Sequence, residues 1–528
     1  MPKEAAAKAK RTPKALAQAA PEATPREPKS KLAEQIATRI AQHIIDIGWP
    51  VGKMLGNEAD LASQFGVSRW IIREAISIVE RDGLVTMKRG RNGGLLVSAP
   101  AADAVGGVIR SYLAFANPTL EDLGFARREL EEYMVRRVND HMQPEQVDDL
   151  RALIVDTVAE SEDKLALLGI AMMRKLLEVA NNPALRLFTL TLSNLTITAS
   201  WRTQSRQPMV REILRCRREQ IDFLIAGDLA RALEKQTEHL SLSHWRLGGG
   251  PSSTPKANLR QRAFEWFIAE LDAPTQMKLP QRLAYQIQDD ILELNCPIGT
   301  HLGLEAELLR KYNVSRAVFR EAVRALERLG VVEMRTGHNS GLKVASPNPR
   351  STVESASRYL HYLQTPPASM IELLGVLELS AAELLFHAPG RLEELSQKLA
   401  SQEPGTHDSI NSILDHCSAV DMALAKAIDN QIISVFLEIL IETLRVPEEA
   451  DTPRICAAGE VAAIVAIEKE FRAALAAKDA PRARRLLIER RKKITPLHIA
   501  ALERSPAMRA GPSTPALRRR SPRPSLVQ

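Results

Sequence analysis

The sequence predicts a mainly α protein in which a small α+β domain and an all-α helical bundle occur twice. The chain has 528 residues, which is too long for one ordinary core. Aromatic residues make up 4% of it and charged residues 26%, a composition that favours helical bundles over large sheets. A segment rich in Gly, Pro and Ser, at 248–255, lies near the middle of the chain, and the sequence repeats on either side of it.

The repeated units are residues 31–100 and 278–347, which align without a gap after a shift of 247 positions. About two positions in five are identical, and both units contain the motifs Val-Ser-Arg and Arg-Glu-Ala. We therefore expect a basic disordered tail at 1–30, the first unit at 31–100, a helical effector or oligomerisation domain at 101–247, a linker at 248–277, the second unit at 278–347, a second such helical domain at 348–505 and a basic disordered tail at 506–528.

The positive charge of the chain belongs to its two ends. The net charge is +7, but the first 30 residues hold seven Lys and Arg against three Glu, and residues 504–528 hold six Arg and no acid. The remainder therefore carries a charge of about −3. Nucleic-acid binding by the folded domains must be argued from local features, because the overall charge describes only the tails.

Several protein classes are disfavoured by simple patterns. The four cysteines, Cys216, Cys296, Cys417 and Cys456, are scattered and form no C-x-x-C pair, which suits a reducing compartment. No apolar run reaches the length of a membrane span, and we expect a cytoplasmic, DNA-associated protein without a membrane partner. The sequence contains no P-loop, G-x-S-x-G or H-E-x-x-H motif, so we expect neither an enzyme nor a bound cofactor.

The first repeated unit has the pattern of three helices. Residues 32–47 place isoleucines on one face and end at Gly48, residues 58–65 form a second helix, and a tight turn follows at Gly66. Ser68 is a good N-cap for a third helix, which buries Ile72, Ala75, Ile76 and Val79. Arg69, Trp70, Arg73 and Ser77 then point outward together, as in the recognition helix of a helix-turn-helix.

A basic β-hairpin follows the third helix. Residues 84–88 are predicted to form one strand and residues 95–97 the return strand, with Arg89-Gly90-Arg91-Asn92-Gly93-Gly94 at the tip. Glycines let such a tip approach a groove of DNA, and Lys88, Arg89 and Arg91 suit the minor groove or its phosphates. The unit is therefore predicted to be a winged helix-turn-helix.

Both units resemble the winged-helix domain of the GntR family of bacterial transcription regulators. The resemblance rests on Pro-x-Gly, the glutamate that opens the second helix, Val-Ser-Arg, Arg-Glu-Ala and the glycine-tipped wing. The pattern and the resemblance together imply contacts with double-stranded DNA by Ser68, Arg69, Trp70, Arg73, Lys88, Arg89, Arg91, Asn92 and Gly93 in the first unit, and by Ser315, Arg316, Arg320, Arg335, His338 and Asn339 in the second.

The two units differ from the family pattern and from each other. Ala59 and Ala306 stand where many family members carry a basic residue, which removes one contact from each unit. The second wing is less basic than the first, so we expect the first unit to bind DNA more strongly. Because Trp70 is replaced by Ala317 in the second unit, we also expect the two units to prefer different half-sites.

The helical segments look like the FCD effector domain of the FadR subfamily, on Arg127-Arg128-Glu129-Leu130-Glu131 and Ala226-Gly227-Asp228 among other motifs. The resemblance implies a divalent metal held by one Asp and three His. The four ligand positions become Gly169, Met173, Arg217 and His239 in the first copy, and Cys417, Asp421, Glu468 and Arg490 in the second. We therefore expect no metal site in either copy.

A small organic acid remains a candidate effector in the first copy. Arg127 and Arg217, with Met173 and His239 nearby, could hold an organic anion directly. The alternative is that the two arginines form salt bridges at the bundle surface. Leu374 occupies the position of Arg127 in the second copy, so an anion pocket is expected in the first half.

These features predict a sequence-specific transcription regulator, more specifically a repressor, with two DNA-binding units in one chain. The chain would act as a pseudo-dimer or as a homodimer of chains, and the sequence leaves open whether the helical domains pair within or between chains. Two alternatives compete. One is an architectural DNA-binding protein without an effector, with little sequence preference and a steep dependence on salt. The other is a protein-interaction module that no longer binds DNA.

Overall fold

A computed structural model confirms the mainly α class. It describes residues 29–81, 83–88, 90, 93–100, 102–116, 118–154, 162–201, 207–246, 279–293, 296–328, 330–335, 340–345, 349–401, 410–446 and 458–504. The described residues up to Pro100 form one compact unit, and those from 102 to 504 form another. The predicted tails and linker lie outside the described residues, apart from residues 29 and 30.

The first winged unit contains three helices and a three-stranded antiparallel sheet. The helices are α1 (Lys29–Asp46), α2 (Glu58–Phe65) and α3 (Arg69–Arg81), and the strands are β1 (Met54–Gly56), β2 (Val85–Lys88) and β3 (Gly94–Val97) in the order β1-β3-β2. The predicted helices and hairpin are confirmed, although α1 begins and ends slightly earlier than predicted. Strand β1 was not predicted, because three residues are too few to show a periodicity.

Local side chains fix the turn between α2 and α3. Asn57 caps α2 by accepting hydrogen bonds from the backbone N–H groups of Ala59 and Asp60, at 2.9 and 3.0 Å. Gly66 ends α2 in the left-handed conformation with φ of 64°, which glycine adopts without a steric penalty. Ser68 then caps α3, as predicted, by accepting from the N–H of Ile71 at 3.4 Å. The turn therefore follows from residues adjacent in sequence.

The glycine at the start of β3 lets strand β1 join the sheet. A Cβ on Gly94 would lie 2.6 Å from the carbonyl oxygen of Gly56 on β1, closer than side chains come to backbone. Gly341 has the same relation to the carbonyl oxygen of Gly303, at 2.7 Å. The shared wing glycine is thus required for strand packing within the unit.

The second winged unit repeats this arrangement. Its helices are α11 (Leu279–Glu293), α12 (Glu305–Tyr312) and α13 (Arg316–Arg328), and its strands are β4 (His301–Gly303), β5 (Val332–Arg335) and β6 (Gly341–Val344) in the order β4-β6-β5. A separate apolar cluster forms its core, in which Phe319 and Leu326 of α13 pack with Ile287 of α11.

The described residues of each helical segment form seven helices. Those of the first are α4 (Ala102–Ala116), α5 (Leu120–His141), α6 (Pro144–Leu153), α7 (Glu162–Ala180), α8 (Pro183–Trp201), α9 (Gln207–Ile225) and α10 (Leu229–Arg246). Those of the second are α14 (Pro349–Tyr362), α15 (Pro367–Phe386), α16 (Pro389–Ala400), α17 (Ile410–Ala427), α18 (Gln431–Thr443), α19 (Ala458–Ala476) and α20 (Ala480–Arg504).

The two helical bundles pack against each other within one chain and share one apolar core. Helices α4, α5 and α8 meet α14, α15 and α18. The rings of Phe188 and Phe436 stack with their centroids 4.1 Å apart. Asn182 Nδ2 donates to the carbonyl oxygen of Ser369 at 2.9 Å, and Asn430 Nδ2 donates to that of Asp122 at 3.1 Å.

These contacts are reciprocal. Phe436 and Asn430 stand at the positions of Phe188 and Asn182 after a shift of 248 residues, and Ser369 stands at that of Asp122 after a shift of 247. Each bundle therefore uses the same groups against the other, as two subunits do across a two-fold axis. Pairing within one chain, which the sequence left open, is the arrangement that the structure shows.

Candidate functional sites

The recognition helix of the first winged unit separates its two faces as predicted. Ile72, Ala75 and Val79 are at most 1% exposed and pack into the unit. Arg69, Trp70 and Arg73 are exposed, and 54% of Trp70 is open to solvent. The three side chains predicted to contact DNA thus share the exposed face of this helix.

One glutamate at the start of the second helix holds recognition-helix arginines in both units. In the first, Arg73 Nε lies 2.7 Å from Glu58 Oε2. In the second, Glu305 Oε1 lies 3.2 Å from Arg316 Nε and 3.1 Å from Arg320 Nε. Exposed ion pairs such as these add little to the stability of the fold, but they fix where the guanidinium groups lie. The carboxylate neutralises part of the charge of both arginines in the second unit and of one in the first.

A groove of about 300 Å³ runs beside the first recognition helix. Its lining includes Asn57 and Ala59 at the start of α2, Arg69 on α3, and Lys88 and Gly93 on the wing. Glu58 also lines the groove, and the N–H groups of Ala59 and Asp60 donate to Asn57, so Arg69 and Lys88 are the positively charged side chains of the lining. The small side chain of Ala59 leaves this groove open where a longer residue would fill it.

The wing tips lie largely outside the described residues. Lys88 and Arg335 are exposed at the ends of β2 and β5, and Arg335 Nη2 lies 3.0 Å from Glu333 Oε2. Ser315 caps α13 in the same way as Ser68 caps α3, with Val318 N donating to its Oγ at 3.4 Å. The other predicted wing contacts, Arg89, Arg91, Asn92, His338 and Asn339, are outside the described residues.

The predicted effector residues of the first helical domain surround a glutamate that the sequence analysis did not single out as a site residue. Glu131 Oε1 lies 2.8 Å from Arg127 Nη2, and Glu131 Oε2 lies 3.0 Å from Arg217 Nη2. Burial by itself raises the pKa of this carboxyl, but Arg127, Arg217 and a hydrogen bond from Gln236 lower it to about 2. All of these side chains are buried, so the salt bridges lie inside the bundle rather than at its surface.

Neutral groups complete the contacts of Arg217. Its Nη1 donates to Gln220 Oε1 at 2.6 Å and to Gln236 Oε1 at 2.9 Å, and its Nη2 lies 3.2 Å from His239 Nε2. Burial, followed by the charge of Arg217, holds the pKa of His239 well below its usual range. The imidazole is therefore neutral at neutral pH and accepts a hydrogen bond. Met173 is 6% exposed and belongs to the apolar core.

The second helical domain contains a different charge cluster at the equivalent place. Glu378, the counterpart of Glu131 after the shift of 247 residues, contacts Arg490 Nη2 at 3.0 Å and Arg491 Nε at 3.1 Å. Arg490 also contacts Glu468 at 2.7 Å and pairs with Asp421. Two guanidinium groups thus face three buried carboxylates, whereas two guanidinium groups face one carboxylate in the first domain.

This difference in the ratio of arginines to carboxylates shifts the pKa values of the two equivalent glutamates in opposite directions. Burial raises the pKa of Glu378 to about 7, and Asp421 adds to the rise while Arg491 and Arg490 oppose it. The pKa of Asp421 is lowered, because Arg490 and Arg491 outweigh its burial. Glu378 therefore titrates near neutral pH, whereas Asp421 stays ionised there.

Ion pairs occupy the positions where the family resemblance implies metal ligands. Arg217 and His239 are the side chains at two of them in the first domain, and at three of them in the second domain Arg490 contacts both Asp421 and Glu468. Burial raises the pKa of Cys417, the fourth residue of that set, so it is a neutral thiol. In both domains a guanidinium group contacts the buried acid.

Comparison with known proteins identifies the repeated units. The family model described as "Bacterial regulatory proteins, gntR family" matches residues 32–93 and again residues 279–341. Both repeated units therefore match the gntR family model. The FCD domain model matches residues 122–242, which contain the cluster around Glu131. Among the residues that the structure describes, no helix is long and apolar enough to cross a membrane.

Relatives of the chain are transcription regulators. The HTH-type transcriptional repressor NanR of Escherichia coli (strain K12 / DH10B) is 28% identical over 162 residues, which are 29% of this chain and 60% of NanR. NanR of Escherichia coli O1:K1 / APEC matches with the same values. The chain thus spans about 60% of the length of these curated relatives. The solved structure of Streptococcus agalactiae GntR has 21% sequence identity to this chain and a TM-score of 0.29. The match covers 40% of this chain and 99% of the Streptococcus agalactiae chain.

Proposed function

We propose that this chain is a sequence-specific DNA-binding transcription regulator, acting as a repressor in the cytoplasm, with two covalently linked reading heads. The observation that carries the proposal is the presence of two recognition helices with exposed arginines, Arg69 and Arg73 in one and Arg316 and Arg320 in the other. NanR, the relative with 28% identity, is named a transcriptional repressor.

The pairing of the helical domains supports a pseudo-dimer. Relatives with one reading head per chain need two chains to place two heads on an operator, whereas this chain supplies both heads itself. Linking raises the effective concentration of the second head, so affinity for a two-part operator rises without new contacts. The exposed Trp70 in one head and Ala317 in the other favour an operator with two unlike half-sites.

The first head binds DNA more strongly in this proposal. Glu305 neutralises both recognition arginines of the second head, whereas Glu58 contacts only Arg73 among the described side chains of the first. Thr86 stands at the position of Glu333 after the shift of 247 residues, so Lys88 lacks the acidic neighbour on its own strand that Arg335 has. More positive charge is therefore available to phosphates at the first head.

An organic acid bound by Arg127 and Arg217, with His239 and Met173 beside it, would have to displace Glu131. That carboxylate already occupies the space between the two guanidinium groups. An effector at this place thus competes with the Glu131 carboxylate, whose oxygens lie 2.8 Å from Arg127 Nη2 and 3.0 Å from Arg217 Nη2. It must also replace the negative charge with which Glu131 neutralises these arginines.

Selection from a randomised DNA pool tests the proposal. The intact protein is expected to enrich two unlike half-sites at a fixed spacing, and Arg69→Ala with Arg73→Ala is expected to abolish enrichment of one of them. Arg136→Ala, an exposed arginine on α5, is the matched control and leaves enrichment unchanged.

Other results point to the competing functions. Binding without enrichment and with a steep dependence on salt identifies an architectural DNA-binding protein. Enrichment of two identical half-sites refutes the asymmetric operator but keeps the regulator. The absence of any DNA binding identifies a protein-interaction module.

A further inference from the structure

Charged side chains join the two helical domains where α5 of the first packs against α15 of the second. Arg137 pairs with Glu372, whose Oε2 also accepts a hydrogen bond from the Tyr133 hydroxyl at 3.0 Å. Arg128 Nη2 lies 3.4 Å from Glu383 Oε1. In both ion pairs the arginine thus belongs to the first domain and the glutamate to the second.

Arg137 is buried at this interface. It is 7% exposed, and its Nε donates to the carbonyl oxygen of Ala180 at 2.8 Å. This hydrogen bond holds the guanidinium group where the two domains meet. Because a guanidinium group that leaves water is costly without a nearby negative charge, the contact with Glu372 of the other domain matters to the pairing.

The ion pair of Arg137 and Glu372 has no charged counterpart on the other side of the interface. Exchange of the two domains, with the shift of 247 residues, carries Arg137 onto Leu384 and Glu372 onto Phe125. Leu384 and Phe125 are both apolar, and both pack against the shared core. The polar contact thus departs from the reciprocity that the stacked rings and the capping asparagines show.

The ion pair of Arg128 and Glu383 departs from it in the same way. The exchange carries Arg128 onto Gly375 and Glu383 onto Arg136. The position that is acidic in the second domain is therefore basic in the first, and Arg136 is exposed.

Two first domains in the same arrangement would bring like charges together. Arg128 of each would face Arg136 of the other, once on either side of the two-fold axis. Arg137 would face Phe125 in place of a glutamate. Like charges placed opposite each other at an interface weaken it strongly.

Two second domains would lose the ion pairs as well. Glu372 of each would face Leu384 of the other, and Glu383 would face Gly375. The unlike pair is thus the combination that brings the arginines of α5 against the glutamates of α15.

We propose that these charges make each helical domain specific for the other, so that the partner of a first domain is a second domain and not another first domain. Attraction to Glu372 and Glu383 favours the unlike pair, and repulsion between Arg128 and Arg136 disfavours the like pair. A like pair would leave the second domain of each chain unpaired and open to further chains. The preference therefore closes each chain on itself, whether or not the heads read an operator.

Re-pairing of separated halves tests this preference. A protease site is placed in the Gly-, Pro- and Ser-rich segment at 248–255 of the full chain, and the folded protein is cleaved there. The cleaved protein is unfolded in urea, refolded by dilution and measured by native mass spectrometry, which distinguishes like from unlike pairs by mass. Pairing without preference would leave about half of the pairs alike, whereas unlike pairs are expected to exceed like pairs at least about tenfold.

Arg136→Glu isolates the repulsion, because it copies Glu383 into the first domain. The unlike pair keeps its ion pairs in this variant. In a pair of first domains, each Arg128 would face the introduced carboxylate, so such pairs are expected to increase about tenfold. Arg151→Glu, which changes an exposed arginine on α6 in the same way, is the matched control and leaves the distribution of pairs unchanged.

Thermal unfolding of the intact chain tests the same charges without refolding. Glu372→Arg with Glu383→Arg places like charges opposite the arginines of α5, and is expected to lower the unfolding midpoint of the helical domains by about 3 °C or more. Adding Arg128→Glu is expected to recover part of this loss. Glu393→Arg with Glu394→Arg, which changes two exposed glutamates on α16, is the matched control.

Two results overturn the proposal. One is a refolded wild-type protein in which like pairs are as common as unlike pairs. The other is a midpoint that Glu372→Arg with Glu383→Arg lowers no more than the control does. The thermal measurement decides the question whether or not the cleaved halves refold, and neither measurement contains DNA.

Discussion

Replacing Glu131 and Glu378 by Gln, one at a time, tests the charge balance of the two helical domains. The two glutamates occupy equivalent positions and are both buried. Glu131→Gln removes the carboxylate that, among the described residues, contacts both Arg127 and Arg217. Glu378→Gln leaves Asp421 and Glu468 in place to neutralise Arg490 and Arg491.

The structure predicts very different losses of stability. Glu131→Gln leaves two buried guanidinium groups without a counter-charge, and breaking a buried pair in this way costs about 3–5 kcal/mol. Glu378→Gln keeps two carboxylates for two arginines and retains an amide oxygen as acceptor, so its cost at neutral pH is about 1 kcal/mol or less. The first variant is therefore expected to be the less stable by several kcal/mol.

Urea denaturation followed by far-UV circular dichroism measures the difference at neutral pH. Glu131→Asp serves as a control, because it keeps the charge while it shortens the side chain. Equal losses of unfolding free energy in Glu131→Gln and Glu378→Gln would refute the reasoning. They would show that the local ratio of arginines to carboxylates does not determine how much each glutamate stabilises the fold.

Further predictions concern pH, strand packing and the two heads. The pKa of Glu378 is raised from 4.5 to about 7, so between these pH values the folded state binds a proton that the unfolded state has lost. The stability of the wild type therefore falls as pH rises through this range, by at most about 3 kcal/mol. In Glu378→Gln the urea midpoint should depend less on pH over the same range. Gly94→Ala should lower the midpoint of thermal unfolding of the first head, because its Cβ would lie 2.6 Å from a backbone oxygen of β1; an unchanged midpoint would contradict that contact. Arg73→Ala should weaken operator binding more than Arg320→Ala, whose acidic partner serves two arginines; a titration that ranks them the other way would make the second head the stronger.

The recognition helix could be predicted because its determinants are local. Ile72, Ala75 and Val79 recur at helical spacing, and Ser68 caps the helix that follows it, so the sequence sets both the start of α3 and the face it buries. Strand β1 escaped prediction, because it forms only where Gly94 lets another strand approach.

The interior of the first helical domain could be predicted only in part. Arg127 and Arg217 were identified as residues that could share an anion, but the sequence pointed to a ligand or to surface salt bridges. The anion that they contact is Glu131, which is 86 residues from Arg217 and sits inside the bundle. Glu131 and Glu378 are identical after the shift of 247 residues, and this match was the signal that could have drawn attention to them.

The sequence by itself determined the duplication, the two winged heads and the outward arginines, since these depend on residues close together along the chain. Tertiary structure decided that the two helical domains pair within one chain, with Phe188 stacked on Phe436 and the two capping asparagines reaching across. Both copies carry the same interface groups, so the sequence is equally compatible with pairing inside a chain or between chains. Only the distances in the folded molecule distinguish them.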